Sequence, residues 1–533
     1  MYRIAIYDTT LRDGTQAEEL NLTTEDKVRI AHKLDELGVH YIEGGWPGSN
    51  PTDRHFFDEI ASHQFRNSSI AAFGSTYNPK ATPETDPIFQ SLLDCGADVL
   101  TIFGKTWDLH AELALGIDND RNVELIRESV AYLRPNVREL FFDAEHFFDG
   151  FRNNPEFALD CVQAAHEAGA DVLVLCDTNG GSLPHQIAEA VKAVTQRLPE
   201  AKLGIHAHND GELAVANSLE AIRHGAVQVQ GTMNGYGERC GNANLCSIIP
   251  NLELKLGYES LGPDNMARLT EVSHYISEIA NLRPFMRQPF VGASAFAHKG
   301  GVHVSAVRKD SRTYEHIRPE AVGNVQRVLL SDLAGRSNLL HKAEQFGHPL
   351  EKGDPRLDQL IKELKQRESM GFEYSVAEAS FELMFHKIVS GRHFNYFKFR
   401  NFFVVDAKRE EDSEPFSEAT VMVHVGDKEE HTAATGMGPV NALDRALRKG
   451  LERFYPCLED VRLLDFKVRV LSGAVRDTGG TASFVRVLVE SGDSIERWTT
   501  VGVSHNIIEA SWQAVVDSYN YKLFREDMRK IGH

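Results

Sequence analysis

Residues 201–245 read AKLGIHAHNDGELAVANSLEAIRHGAVQVQGTMNGYGERCGNANL. A short apolar run ends in the polar stretch IHAHND, a helix-period segment (GELAVANSLEAI) follows, and Gly225 closes it. A second apolar run, AVQVQG, then ends in a glycine-rich segment. Strand, helix, strand in this order is a parallel crossover unit, because parallel neighbours need a long return path.

The same pattern recurs upstream. The runs RIAIYDTTLRDG, VHYIEGGWPGSN, SIAAFGST, DVLTIFGKTW, RELFFDAEH and DVLVLCDTNGG precede the two already quoted. Helical stretches such as TTEDKVRIAHKLDELG, NPEFALDCVQAAHEAG and LPHQIAEAVKAVTQRL lie between them, several ending in Gly as C-terminal caps do. Eight such units predict a closed (β/α)₈ TIM barrel over residues 1–283. A doubly wound sheet would instead place a GxGxxG after its first strand, and DTTLRDG (8–14) is not that.

Beyond the barrel the pattern changes. RPFMRQPFVGASAFAHKGGVHVSAVRKD (283–310) is rich in Gly and turn residues and reads as a mobile connector. The helical segments RVLLSDLAGRSNLLHKAEQFG, DPRLDQLIKELKQRESMG and SVAEASFELMFHKIV follow, giving a connector and helical subdomain over 284–400. The charged run KREEDSEP (408–415) marks a surface turn or boundary. Residues 401–533 hold an internal repeat. ATVMVHVGDKEEHTAATGMGPVNALDRAL (419–447) and ASFVRVLVESGDSIERWTTVGVSHNIIEASWQAV (482–515) each read strand, Gly-Asp turn, strand, Gly, helix. Duplicated ββα units make an α/β module with a groove between copies, suited to ligand sensing or dimerisation.

Composition narrows the class. With 533 residues, 42% hydrophobic and 25% charged, the chain can bury more than one core. A formal net charge of −20 disfavours nucleic acid and anionic membranes as partners. The six cysteines form no CxxC pair, which points to reduced, mostly buried thiols. No basic n-region with an apolar h-region opens the chain, and no run of ~18 apolar residues occurs, so the expected address is the cytoplasm.

The chemistry sits at the C-terminal ends of the runs. Residues i and i+2 of a strand face the same way, so His206 and His208 project together. Two neutral imidazoles with an open remainder suit a divalent transition metal, although an isolated HxH is more often a polar strand end. Asp13, just past the first strand, can supply an anionic oxygen ligand, and Arg12 a fixed cation for a carboxylate or developing enolate. Asp8 reads as structural, and Asp210 as the N-cap of the following helix. GTMNGYGERCGNANL (231–245) lets backbone pass close to a ligand, and Asn242 offers a carbonyl oxygen. A phosphate-binding glycine loop is the rival reading there.

Taken in order, DTTLRDGTQ, HAHND with its helix, and GYGERCGNA resemble the aldolase-type acyltransferases: the 2-isopropylmalate, homocitrate and citramalate synthases. The resemblance covers nearly the whole chain, since GMGPVNAL and GVSHNIIEASWQAVVD look like their LeuA-type regulatory domain. Met437 stands where that family has Asn in a GNGPV pattern, which bears on the effector rather than the fold. EGGWPGSNPTD (43–53) and FFDAEHFFDG (141–150) look most like the citramalate branch, with Gly45-Trp46 the discriminating pair.

That branch condenses acetyl-CoA with pyruvate to (R)-citramalate and CoA, the first step of a pyruvate route to isoleucine. The resemblance implies a divalent cation (Mn²⁺, Zn²⁺ or Mg²⁺) on Asp13, His206, His208 and Asn242, chelating the oxo acid. It further implies Thr178 on the substrate carboxylate and Arg12 on the developing oxyanion. Glu145, with His303 and Tyr314 of the connector, would handle the acetyl proton. In the family the connector covers the neighbouring subunit's barrel, so a homodimer is expected, with isoleucine as effector of the C-terminal module. Phe73 and Phe103 are candidates to narrow the pocket around a methyl group.

Four rivals remain in view. An acyl-CoA retro-aldol lyase typically lacks the duplicated module, and a biotin-dependent carboxyltransferase should carry a biotinyl Lys between methionines, absent here. A non-catalytic amino-acid sensor need not keep Arg12, Asp13, His206 and His208 together. The nearest alternative is a 2-isopropylmalate synthase acting on 2-oxoisovalerate.

Overall fold

The computed structural model describes residues 3–307, 309–329, 336–391, 396–408, 410–411, 414–471 and 483–531. The chain divides into two compact units, Met1–Phe296 with Glu315–Gln326, and Ala297–Tyr314 with Arg327–His533.

In the first unit, β1 (Ala5–Asp8), β2 (Tyr41–Gly45), β3 (Ser69–Ser75), β4 (Val99–Lys105), β5 (Glu139–Glu145), β6 (Val172–Asp177), β7 (Leu203–Ala207) and β8 (Ala226–Gly231) form a closed parallel barrel in sequence order. β1 pairs with β8 in register Tyr7↔Gln230 and Asp8↔Gly231, which shuts the cylinder. The expected barrel is therefore present. Alternation along β6 shows how it fills. Val172, Val174 and Cys176 join Tyr7, Ala71, Val99 and Phe141 in an interior cluster, while Leu173 and Leu175 pack outward against the helices. Above this layer the Tyr7 hydroxyl bonds the Glu43 carboxylate at 2.6 Å and the Thr101 hydroxyl at 2.7 Å. The interior is thus filled up to the mouth, and functional groups are left to the C-terminal ends of the strands.

Helix boundaries follow local chemistry. The helix Thr24–Leu37 begins with a reciprocal capping box between Thr23 and Asp26 and ends on Gly38 at φ 89°. Asn50 and Asp86 likewise cap the helices Pro51–Ile60 and Pro87–Asp94, each with proline in its first turn.

The second unit opens with a short parallel pair, β9 (Ala297–His298) and β10 (Arg327–Val328). RVLLSDLAGRSNLLHKAEQFG is accordingly not helical throughout: it starts as β10, and its helix spans Arg336–Gln345, with residues 330–335 outside the described ones. Helices Pro355–Ser369 and Glu378–Val389 pack with it around Leu339, Leu357, Leu360, Phe381 and Phe385.

Two antiparallel sheets follow, β11 (Lys398–Ala407), β12 (Phe416–Val425), β13 (Lys428–Gly436) and β14 (Arg462–Leu471), β15 (Phe484–Gly492), β16 (Arg497–Ser504). Each is followed by a helix, Pro439–Leu451 and Ile507–Ile531. The duplicated strand-strand-helix units are present, and each gains a leading strand. KREEDSEP is the β11–β12 hairpin connection (Ala407 pairs with Phe416) rather than a boundary; its Arg409, Asp412 and Ser413 lie outside the described residues. The copies share a tie, since Thr432 donates to the Ala446 carbonyl and Thr500 to that of Ala514, both at 2.7 Å. They differ in their turns. Val425 pairs with Lys428 across Gly426 (φ 60°) and Asp427, whereas Gly492 pairs with Arg497 across four residues. Among the described residues, no helix is long and apolar enough to cross a membrane.

Candidate active site

The C-terminal ends of the barrel strands surround a cavity of about 230 Å³, lined by Arg12, Asp13, Trp46, Phe103, Thr178 and His206 among others. On one side three ligating groups converge. The Asp13 carboxylate lies 3.2 Å from His206 Nε2 and 3.9 Å from His208 Nε2, and the two imidazole nitrogens are 3.4 Å apart. All three residues are buried. The i, i+2 alternation of β7 puts both imidazoles on one side, and closure of β1 beside β8 brings Asp13 to them.

Second contacts fix these groups. His206 Nδ1 lies 2.8 Å from Gln230 Oε1, and the Gln230 amide donates to Asp143 at 3.1 Å. In the neutral ring, with Nδ1–H donated to Gln230, the Nε2 lone pair would point at the convergence. In the polypeptide alone burial lowers the His206 pKa, but Asp13 outweighs burial and raises it. Asn242 is 2% exposed, and both amide atoms lack a hydrogen-bond partner among the described residues. Its backbone bridges His208, so the orphaned amide belongs to the same corner. A buried amide oxygen with no partner is costly unless something absent from the polypeptide completes it. Gly241 makes the approach possible, because a Cβ there would sit 2.0 Å from the Gly235 carbonyl oxygen, at φ +87°.

The electrostatics agree. Burial pushes the Asp13 carboxyl up, but Arg12 and His206 outweigh it and hold it well below the usual carboxylate range. Burial and then the His206 charge push His208 down to about 3, so it is neutral at pH 7. One anionic oxygen, two imidazoles within 4.8 Å and an idle amide oxygen form a donor set fit for a divalent cation.

The opposite wall is aromatic. Phe73 and Phe103 stack with centroids 5.4 Å apart, and Trp46 meets them edge-on at 5.8 and 5.7 Å. Arg12 links the two sides. Its guanidinium lies 3.6 Å above the Phe73 ring, 3.4 Å from Asp13, and pairs with buried Glu43. Thr178, following β6, lines the cavity, and its hydroxyl accepts the His146 N–H at 2.9 Å. Glu145, ending β5, pairs with Lys105, ending β4 in the same register.

Arg12, Asp13, Thr178, Glu145, His206 and His208 thus line one cavity, and Asn242 bridges to it through His208. His303 and Tyr314 belong to the second unit, where their rings stack at 4.1 Å and Tyr314 is exposed. Asp8 holds its loop as expected, accepting from the Thr10 amide and hydroxyl. Asp210 does not cap its helix. It grips Arg239 through two bonds of 2.8 and 3.0 Å, and Asn209 receives the Ala214 N–H instead. Glu43, Lys105, Asp143 and Gln230 were not anticipated. Asp143 and Glu145 do alternate in FFDAEH, so their shared face was readable.

Comparison with known proteins extends these findings. Residues 3–276 match the HMGL-like family model, 290–370 the homocitrate synthase post-HMGL domain-like model, and 375–523 the LeuA allosteric (dimerisation) domain. The chain is 55% identical to an (R)-citramalate synthase of Geobacter sulfurreducens, covering 99% of each. It is 52% identical to one of Aquifex aeolicus, again covering 99% of each, and 49% identical to one of a Synechocystis species, covering 97% of this chain and 96% of that one.

Proposed function

The chain belongs to the (R)-citramalate synthase family, an acyltransferase-type group, and from that premise we propose that it condenses acetyl-CoA with pyruvate to give (R)-citramalate and CoA. One observation carries the reading: a three-ligand rim faces an aromatic wall across a single small cavity. The rim suits the polar end of a 2-oxo acid, and the wall of Trp46, Phe73 and Phe103 suits its methyl group. The relatives named above, all (R)-citramalate synthases, favour pyruvate over the 2-oxoisovalerate of the 2-isopropylmalate reading.

Asp13, His206, His208 and Asn242 would hold the cation, a donor set better matched to Mn²⁺ or Zn²⁺ than to Mg²⁺. When bound, such an ion supplies Lewis acidity at the keto group. Arg12, held by Glu43, presents a fixed positive charge where an oxyanion develops. Thr178 donates its hydroxyl to the substrate carboxylate. Glu145 accepts a proton from the acetyl methyl group, assisted by His303 and Tyr314 of a neighbouring subunit's connector. The new carbon–carbon bond forms at the keto carbon, the resulting alkoxide takes up a proton, and water cleaves the thioester to free CoA.

The C-terminal module suits assembly and regulation. Phe399, Phe403 and Val405 of β11 and Val468 and Val470 of β14 are exposed, and we assign these faces to a homodimer contact. Isoleucine is the proposed effector. Six unpaired cysteines fit a reducing compartment, the cytoplasm.

Following thiol release from acetyl-CoA with pyruvate, 2-oxoisovalerate, 2-oxoglutarate and glyoxylate tests the substrate. Pyruvate is expected to be preferred, and preference for 2-oxoisovalerate would reassign it. Titrating isoleucine, leucine and valine into the same assay tests the effector, and no response to any of them removes that role.

A further inference from the structure

We propose that Asp149 is a positioning residue whose carboxylate ties the ends of β5 and β6 together and thereby sets the Thr178 hydroxyl against the 2-oxo acid; this rests on the function proposed above. The connection begins at His146, directly after Glu145. Its backbone is left-handed (φ 59°, ψ 30°), an unfavourable conformation for a residue with a Cβ. This turn aims the His146 N–H at Thr178 Oγ1, 2.9 Å away. Such a conformation persists only when its surroundings hold it.

Asp149 does the holding. His146 Nδ1 lies 3.1 Å from Asp149 Oδ2, and the same oxygen accepts from Asn179 Nδ2 at 2.9 Å. Arg152 donates to the other oxygen at 2.6 Å. A single carboxylate, 7% exposed, therefore reaches the residue after Glu145 and the residue after Thr178. Burial pushes Asp149 upward, but the bond and charge of His146, then Arg152 and Asn179, leave it below the usual range and ionised.

The consequence falls on Thr178. A hydroxyl has one proton and two lone pairs. The His146 N–H occupies a lone-pair direction, and Arg239 fixes the Thr178 carbonyl at 2.7 Å. The hydroxyl's own proton is left to donate elsewhere, and Thr178 lines the cavity. A plain first-turn carboxylate would steady only its own helix; this one also sets a donor just past the next strand.

The test uses the full chain. Asp149→Ala is expected to lower kcat/KM for pyruvate about 100-fold, with the KM for acetyl-CoA and Mn²⁺ affinity little changed. Asp149→Asn, close in shape, covers the case in which alanine impairs folding. His146→Gly, which accepts the left-handed turn, is expected to lose far less activity than β-branched His146→Val. Hydrogen exchange at the His146 amide should quicken in Asp149→Ala and in His146→Val. Wild-type kinetics in both Asp149 variants would overturn the proposal. So would a His146→Gly enzyme as impaired as Asp149→Ala, because the imidazole itself would then be acting. If the parent enzyme turns over no 2-oxo acid, the proposed function fails, while the exchange rates still report on the clamp.

Discussion

The barrel mouth and the C-terminal module depart from the usual partition of polar and apolar groups in opposite directions. At the mouth, Asp13, Glu43, Asp143, His206, His208 and Asn242 are all buried. In the module, Phe403 is 66% exposed, Val405 59% and Val470 57%. Buried polarity costs free energy unless a ligand or a network completes it, and exposed apolar surface costs free energy unless another surface covers it. The first departure marks the proposed site of the chemistry, the second the proposed contact with another copy.

Breaking the buried side should give the largest effect. His206→Ala removes one of the two proposed imidazole ligands while leaving Asp13 and His208 in place. Turnover should fall about 1,000-fold, matching several kcal/mol of lost charge stabilisation, and calorimetry should find no tight Mn²⁺ site. Retained metal binding would dissolve the contrast. The wall sharpens it. Phe103→Ala leaves the Arg12–Phe73 stack intact and opens space, so the ratio of 2-oxoisovalerate to pyruvate turnover should rise about 10- to 100-fold.

On the exposed side, Phe403→Lys combined with Val470→Lys should shift the protein from dimer to monomer in light scattering. The unfolding midpoint should fall modestly with the loss of the contact, because association of folded chains stabilises them by mass action. A dimer that persists would move the contact elsewhere.

The smallest effect concerns Asp517, half-buried in the last helix and accepting the Ser380 hydroxyl at 2.7 Å. Burial raises it from 3.8 to about 6, against Ser380 and Arg367, which lower it. The folded state therefore holds a proton that the unfolded chain has released, and stability falls as pH rises from about 4 to 6, then levels. Asp517→Asn should raise the melting midpoint by about 2–4 °C at pH 7.5 and leave it unchanged at pH 4. Equal shifts at both pH values would show that ionisation is not the cause.

The sequence discloses this contrast unevenly. Strand periodicity and closure are local repeats, so the barrel and the facing of His206 with His208 could be read directly. The leading strands β11 and β14 were missed because their exposed apolar residues break the expected alternation. Asp210 looked like a cap because it precedes a helix, but a partner from the next strand's loop, Arg239, claims it. Gln230 and Lys105 carry no motif. Their roles arise from register between neighbouring strands, which no single segment encodes.

The cavity draws its two functions from different arcs of the cylinder's circumference. The proposed ligands lie after β1, at the end of β7 and in the loop after β8, whereas Trp46 follows β2 and Phe73 and Phe103 lie on β3 and β4. Substitutions at Trp46 or Phe103 on the second arc would therefore alter which oxo acid fits while sparing the Arg12–Phe73 stack that borders the first. Such a layout lets a lineage change its diet by a few point mutations while its reaction stays the same.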